Sequence, residues 1–287
     1  MPQQTPYTID AANGEPLSAT RYAPEVDDAR GVVVIVPAMA THARHYEPLA
    51  TWFTQQGYVV HTFDYQGYGD SARTPLKDVT ADILTWAGDA ARIIYHIAAT
   101  EDGLPLHWVG HSLGGQLLPF VDHARLSSAT LLCSGTGYWR LSEGRNRFLA
   151  PALWYAIAPV TTRLFGYYPG RRLRLLGDLP APVMTQWAHW CRQPDYMFDV
   201  HPEFRDRFAA VTTPIISVSV TDDDTMSAAA TADLEARYTG ARLTAKRYAP
   251  TDLDMTELGH LRIARPRGAQ AWNTIFDHLL AHDQTRS

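Results

Sequence analysis

The chain has 287 residues, 46% of them hydrophobic and 19% charged, with a net charge of −5. So much apolar content at so small a net charge excludes intrinsic disorder, and the mixing of acidic and basic residues leaves no basic footprint for nucleic acid. Two cysteines, Cys133 and Cys191, exclude a disulfide scaffold and read as free thiols of a cytoplasmic, reduced compartment.

The first residues, Met1 to Pro6, lack the basic segment and apolar stretch of a secretory signal. Residues 7–10 and 17–22 read as two short strands around Asn13-Gly14, a pair that tolerates positive φ. Val32-Val33-Val34-Ile35-Val36 is a wholly apolar, β-branched run, the composition of a strand buried on both faces of a parallel sheet. A helix over 46–56 ends at Gly57, and 58–63 is the next strand. Val79, Ile83, Trp86, Ala90, Ile93 and Ile97 recur at spacings of three and four and predict an amphipathic helix. Residues 106–109 read as strand, 113–121 as helix and 129–133 as another buried strand. Strands therefore alternate with helices, which points to an α/β fold with a mostly parallel sheet.

The alternation stops between about 135 and 210, a stretch rich in Trp, Tyr and Phe without a clear strand. It reads as an inserted helical lid, with 1–134 and 211–287 forming the core. Its most apolar part, 148–168, is interrupted by Pro151, Pro159 and Arg163, so no membrane span is expected. Alternation resumes with a strand at 214–220, a helix over 228–238, a strand over 243–248 and a final helix from Pro266 towards His282.

Gly110-His111-Ser112-Leu113-Gly114 lies between a predicted strand and a predicted helix. That context makes Ser112 a candidate nucleophile on a tight turn, with the Leu113 N–H facing a developing oxyanion. A serine nucleophile needs a base and an orienting acid, in the order Ser, acid, His. His260 follows the last predicted strand, where open sheets place their sites. His278 and His282 fall in the terminal helix and read as solvated, while His111 leaves the turn in another direction. The acid is expected in Asp222-Asp223-Asp224, with Asp223 preferred and Asp222 next. A second oxyanion donor is expected after the first buried strand, at the Met39 N–H. His42 and His45 lack a third ligand, and His107 and His111 sit about 13 Å apart along a strand, so no metal site is expected.

These motifs resemble the α/β-hydrolase superfamily over nearly the whole chain. They are Gly110-His111-Ser112-Leu113-Gly114-Gly115, Asp64-Tyr65-Gln66-Gly67-Tyr68-Gly69-Asp70-Ser71 and Gly259-His260. Gly135 to Trp139, Gly166 to Gly170, Gln186 to Cys191 and Thr221 to Asp224 are similar to the bacterial group related to serine aminopeptidase and monoglyceride lipase-like proteins. The resemblance implies a triad of Ser112, Asp223 and His260. It differs from the superfamily pattern in placing Val220 at the usual glycine and Ser227 at the usual proline of the acid motif, and Pro37-Ala38 at the usual His-Gly.

The expected activity is hydrolysis of a carboxylic ester with an apolar acyl or alcohol group, without cofactor. Acyl transfer and peptide hydrolysis use the same triad, and a ligand-binding protein on a hydrolase scaffold is the reading from another class. An aminopeptidase needs an acid for the substrate amine, for which Glu143 and Glu203 are candidates. Arg171, Arg172 and Arg174 offer partners for a carboxylate or phosphate, or a solvated face.

Overall fold

A computed structural model describes residues 2–26 and 28–281. Ten strands are formed among the described residues: β1 Gln3–Asp10, β2 Pro16–Ala23, β3 Gly31–Val36, β4 Tyr58–Phe63, β5 Leu106–His111, β6 Leu126–Leu132, β7 Tyr167–Tyr168, β8 Leu179–Pro180, β9 Ile215–Val220 and β10 Leu243–Tyr248. Eight of them make one sheet in the order β1-β2-β4-β3-β5-β6-β9-β10. The six strands from β4 to β10 run parallel, and the β1–β2 hairpin is added antiparallel at one edge. The hairpin turns over five residues, 11–15, with Gly14 at φ +83°.

All six residues of β3 are buried, and they divide between two cores. Val32, Val34 and Val36 face one core with helix α2, Ile83–Thr100, while Val33 and Ile35 face the other with helix α1, Glu47–Gln55. A strand covered on both sides has no solvent face, which is why its run is apolar without alternation. Helix α2 starts four residues later than Val79 suggests. Asp82 caps it, accepting from Thr85 N–H while the Thr85 hydroxyl receives the Asp82 N–H, so the chain turns into the helix there.

The helix after the Ser112 turn is a single turn, α3 (Leu113–Gln116), followed by a 3-10 segment at Leu118–Phe120. Two glycines and Pro119 make a weak helix former of that stretch. The C-terminal helix is likewise broken into Pro266–Ala271, Trp272–Ile275 and Asp277–Ala281. His278 corrects the expectation of a solvated side chain: its ring meets the Thr130 hydroxyl at 2.8 Å and is 14% exposed. His282 lies outside the described residues.

Between β6 and β9 the chain leaves the sheet. It forms a long helix, α4 (Asn146–Phe165), the short β7–β8 pair, and helix α5 (Ala181–Cys191). This segment is fastened to the start of α2 and to Gln116 by polar contacts. Gln186 accepts the Ile83 N–H and donates to Asp82, and the Tyr196 hydroxyl donates to Gln116. Helix α4 carries Pro151 and Pro159 and opens into a π-helical turn at Leu153–Ile157, which absorbs the missing proline donor.

Candidate active site

The candidate residues converge on one edge of the sheet because parallel strands deliver their carboxyl ends together. Met39 follows β3, Ser112 follows β5, Cys133 follows β6, Asp223 follows β9, and His260 lies beyond β10.

Ser112 sits at φ +53°, ψ −111°, a conformation that side chains rarely adopt. Two glycines permit it. A Cβ at Gly110 would collide with the Trp108 ring and the Gly114 backbone, and one at Gly114 would collide with the Val36 carbonyl. The turn is therefore pressed directly against β3, and Ser112 is 5% exposed. The Met39 and Leu113 N–H groups make no hydrogen bond among the described residues.

His260 Nδ1 meets Asp223 Oδ2 at 2.8 Å. The other Asp223 oxygen accepts the N–H groups of Thr225 and Met226, both at 2.8 Å. Burial works against the carboxylate, but the His260 ring and these two amides outweigh it and hold Asp223 below its ordinary pKa. The three aspartates thus have separate tasks. Asp222 accepts the Leu258 N–H at 2.7 Å and anchors the loop that carries His260, while Asp224 accepts from the Thr225 hydroxyl. Ser112 Oγ makes no hydrogen bond to His260 among the described residues. Such contacts are often long in free enzymes and tighten around substrate.

Ser227, in place of the usual proline, caps the helix Ala228–Glu235 by accepting the Ala230 N–H, and its hydroxyl donates to the Leu141 carbonyl. The Asp64 turn is structural. Asp64 accepts the N–H groups of Ala43 and Asp70, and Gly69 at φ +55° leaves no room for a side chain against it. That pins the loop after Met39 to the end of β4.

The Arg171 guanidinium stands 3.2 Å from His42 Nε2, so its positive charge opposes a cation at His42. Burial, then nearby arginines, push both the His42 and His45 imidazoles below their ordinary pKa. His107 bonds to the Ser128 hydroxyl. Cys133, at φ +49°, places its sulfur within 4.8 Å of the Asp223 and His260 donor atoms. Burial and then Asp223 push its thiol pKa well up, so the sulfur sits as a neutral thiol beside the Asp223–His260 pair. Glu203 pairs with His201, and Glu143 borders a cleft of about 340 Å³ shared with Asp224 and Arg174.

Beside the acid loop lies a cavity of about 350 Å³ walled by Leu149, Leu153, Trp154, Ile157 and Trp187, with Thr225 and Met226 on its floor. A larger cleft of about 610 Å³, near Pro24, Arg30 and Gln56, lies where β3 and β4 begin, away from Ser112.

Comparison with known proteins gives the same frame. Residues 27–165, just under half of the chain, match the hydrolase family described as serine aminopeptidase, S33. A carboxyl esterase from Bacillus coagulans superposes with a TM-score of 0.67 at 15% identity, covering 99% of both chains. A soluble variant of monoglyceride lipase from Saccharomyces cerevisiae superposes with a TM-score of 0.67 at 14% identity, covering 99% of this chain and 95% of that one. The chain has the α/β-hydrolase fold. A curated relative, monoacylglycerol lipase of Mycolicibacterium smegmatis, is 34% identical over 94 residues, which span 32% of this chain and 32% of that protein.

This fold holds a buried network that residue spacing did not suggest. The Ala38 N–H donates to the Tyr46 hydroxyl at 2.9 Å, and that hydroxyl meets His111 Nδ1 at 2.8 Å. His111 Nε2 faces the His260 carbonyl at 2.9 Å. A carbonyl only accepts, so His111 carries its proton on Nε2 and receives one from Tyr46 on Nδ1. One neutral imidazole thereby joins the loop before Met39, the Ser112 turn and the His260 backbone. Only the folded chain brings Tyr46 and His260 to the two sides of His111, so no local pattern marks it.

Burial, then the neighbouring His260 ring, lowers the His111 pKa to about 3. Asp223 acts in the opposite sense and Arg265 in the same sense. The unfolded chain takes up this proton near pH 6.5 and the folded chain does not until about pH 3. Stability from this group is therefore complete above pH 6.5 and falls as pH drops towards 3. At pH 4 the loss amounts to about 3 kcal/mol. His111→Gln keeps a donor towards His260 without the titration. Its urea midpoint is expected to fall less between pH 8 and pH 4 than that of the wild type. Equal falls in both proteins would refute a buried neutral His111.

Proposed function

We propose that the chain hydrolyses a carboxylic ester through an acyl-Ser112 intermediate. The observation that carries this reading is the Asp223–His260 pair held at the same sheet edge as Ser112 on its positive-φ turn. In the mechanism, Asp223 keeps the His260 proton on Nδ1 and leaves Nε2 free to accept. His260 takes the Ser112 proton as Oγ attacks the acyl carbon, and the Met39 and Leu113 amides hold the oxyanion. His260 then protonates the leaving alcohol, and a water that it activates releases the acid. Each amide donor contributes about 3 kcal/mol to the transition state.

The apolar cavity supports an apolar acyl or alcohol group. In this reading residues 135–210 serve as a lid over the core domain. The names of similar proteins, carboxyl esterase and monoglyceride lipase, agree with an ester substrate. Both cysteines are free and buried, in keeping with a cytoplasmic site of action.

The test is turnover of p-nitrophenyl esters of increasing chain length, alongside labelling by a fluorophosphonate probe. Turnover with a preference for medium or long chains supports the reading. Labelling of Ser112 without ester turnover would move the proposal to another acyl acceptor or substrate. Absence of both would leave a ligand-binding protein.

A further inference from the structure

Helix α4 is turned the wrong way for a core helix. It is 20 residues long and apolar, yet only 22% of its most apolar 18-residue window is buried. Its buried side chains, Ala150, Trp154, Ala158 and Thr162, form a stripe one residue wide at a spacing of four. The opposite face carries Phe148, Tyr155, Val160 and Leu164, with Phe148 80% and Leu164 71% exposed. The segment after β7 continues this surface. The Arg172 guanidinium lies 5.9 Å over the Phe165 ring, and Leu173 and Leu176 are exposed. Contiguous apolar exposure of this extent on a folded chain marks a contact surface.

Charge says what the contact is. Residues 139–176 hold seven arginines and a single acid, Glu143, a local charge of +6 within a chain of net −5. Arg145, Arg147, Arg163 and Arg174 form no ion pair among the described residues. A second copy of the chain would bring the same +6 against this one, so self-association through this face is disfavoured. A helix with a wide apolar face flanked by arginines suits a surface that is apolar beneath and negative above.

We propose that the exposed face of α4, with the arginines around it, docks on an anionic phospholipid bilayer. The helix lies along the interface and does not cross it, because its Ala150–Trp154–Ala158–Thr162 stripe stays packed on the protein. Leu149, Leu153 and Ile157 of the same helix wall the cavity. On the ester-hydrolase reading, docking sets the mouth of that cavity at the bilayer, and the substrate is an ester that partitions into lipid.

The test is co-sedimentation of the full chain with vesicles of phosphatidylcholine alone, or containing about one-third phosphatidylglycerol. Binding to the anionic vesicles is expected to be about tenfold stronger or more, and to fall in high salt as the charges are screened. Two double variants, Phe148→Ser with Leu164→Ser and Arg147→Glu with Arg163→Glu, are each expected to lose about tenfold in binding. Both should keep the thermal midpoint and the p-nitrophenyl acetate turnover of the wild type. Ser112→Ala is expected to bind vesicles normally, so docking is read independently of whether the chain hydrolyses esters. Equal binding to both vesicle types, no binding to either, or a dimer in gel filtration that these substitutions dissociate would overturn the proposal.

Discussion

Ser112→Ala is expected to lower kcat on a p-nitrophenyl ester by about 10⁵-fold or more, close to 7 kcal/mol of transition-state stabilisation. The variant loses the atom that forms the acyl bond, while the two amide donors and the binding cavity remain. A residual rate of about 10³-fold over water is therefore expected to persist. Labelling by the fluorophosphonate should vanish, and KM should change little because Ser112 is not among the residues walling the cavity. Alanine shares the conformational cost of serine at φ +53°, so thermal stability should stay near that of the wild type. A folded Ser112→Ala variant with wild-type kcat would refute Ser112 as the nucleophile.

Asp223→Asn is expected to have the next largest effect, about a 10⁴-fold loss in kcat. The amide can still face the ring, but it no longer fixes the proton on Nδ1 or balances the imidazolium that forms during attack. Asp222→Asn supplies the contrast. Its carboxylate accepts the Leu258 N–H at 2.7 Å and does not reach His260. That substitution weakens one hydrogen bond in the His260 loop, with an expected cost of about 1 kcal/mol in stability and less than tenfold in kcat. Equal kinetic losses in the two variants would show that the loop, and not the Asp223–His260 pair, sets the rate.

The sequence decided the elements whose physics is local. Five apolar β-branched residues at 32–36 specify a doubly covered strand whatever surrounds them, and β3 is buried on both faces. The three- and four-residue spacing from Ile83 to Ile97 specifies the buried face of α2. Gly110 and Gly114 around Ser112 mark a turn too crowded for a Cβ, and both glycines meet backbone at contact distance. Where two local signals competed, spacing misled. Val79 fits the helical period, but the Asp82 cap starts the helix after it.

Tertiary structure decided what depends on residues far apart in the chain. Three consecutive aspartates are nearly equivalent as sequence, and only the return of the chain from β10 brings His260 to Asp223 and Leu258 to Asp222. His278 sits on a helix end that sequence alone leaves in water, yet the fold lays it on Thr130, 148 positions away. The Tyr46–His111–His260 network joins segments 65 and 149 residues apart. Composition made 135–210 aromatic and basic, but not which aromatics would be inside. Trp154 and Trp190 are buried while Phe148 and Leu164 face out. A side chain's apolar character records only that it gains by leaving water. Which surface receives it is set by the packing of the whole chain.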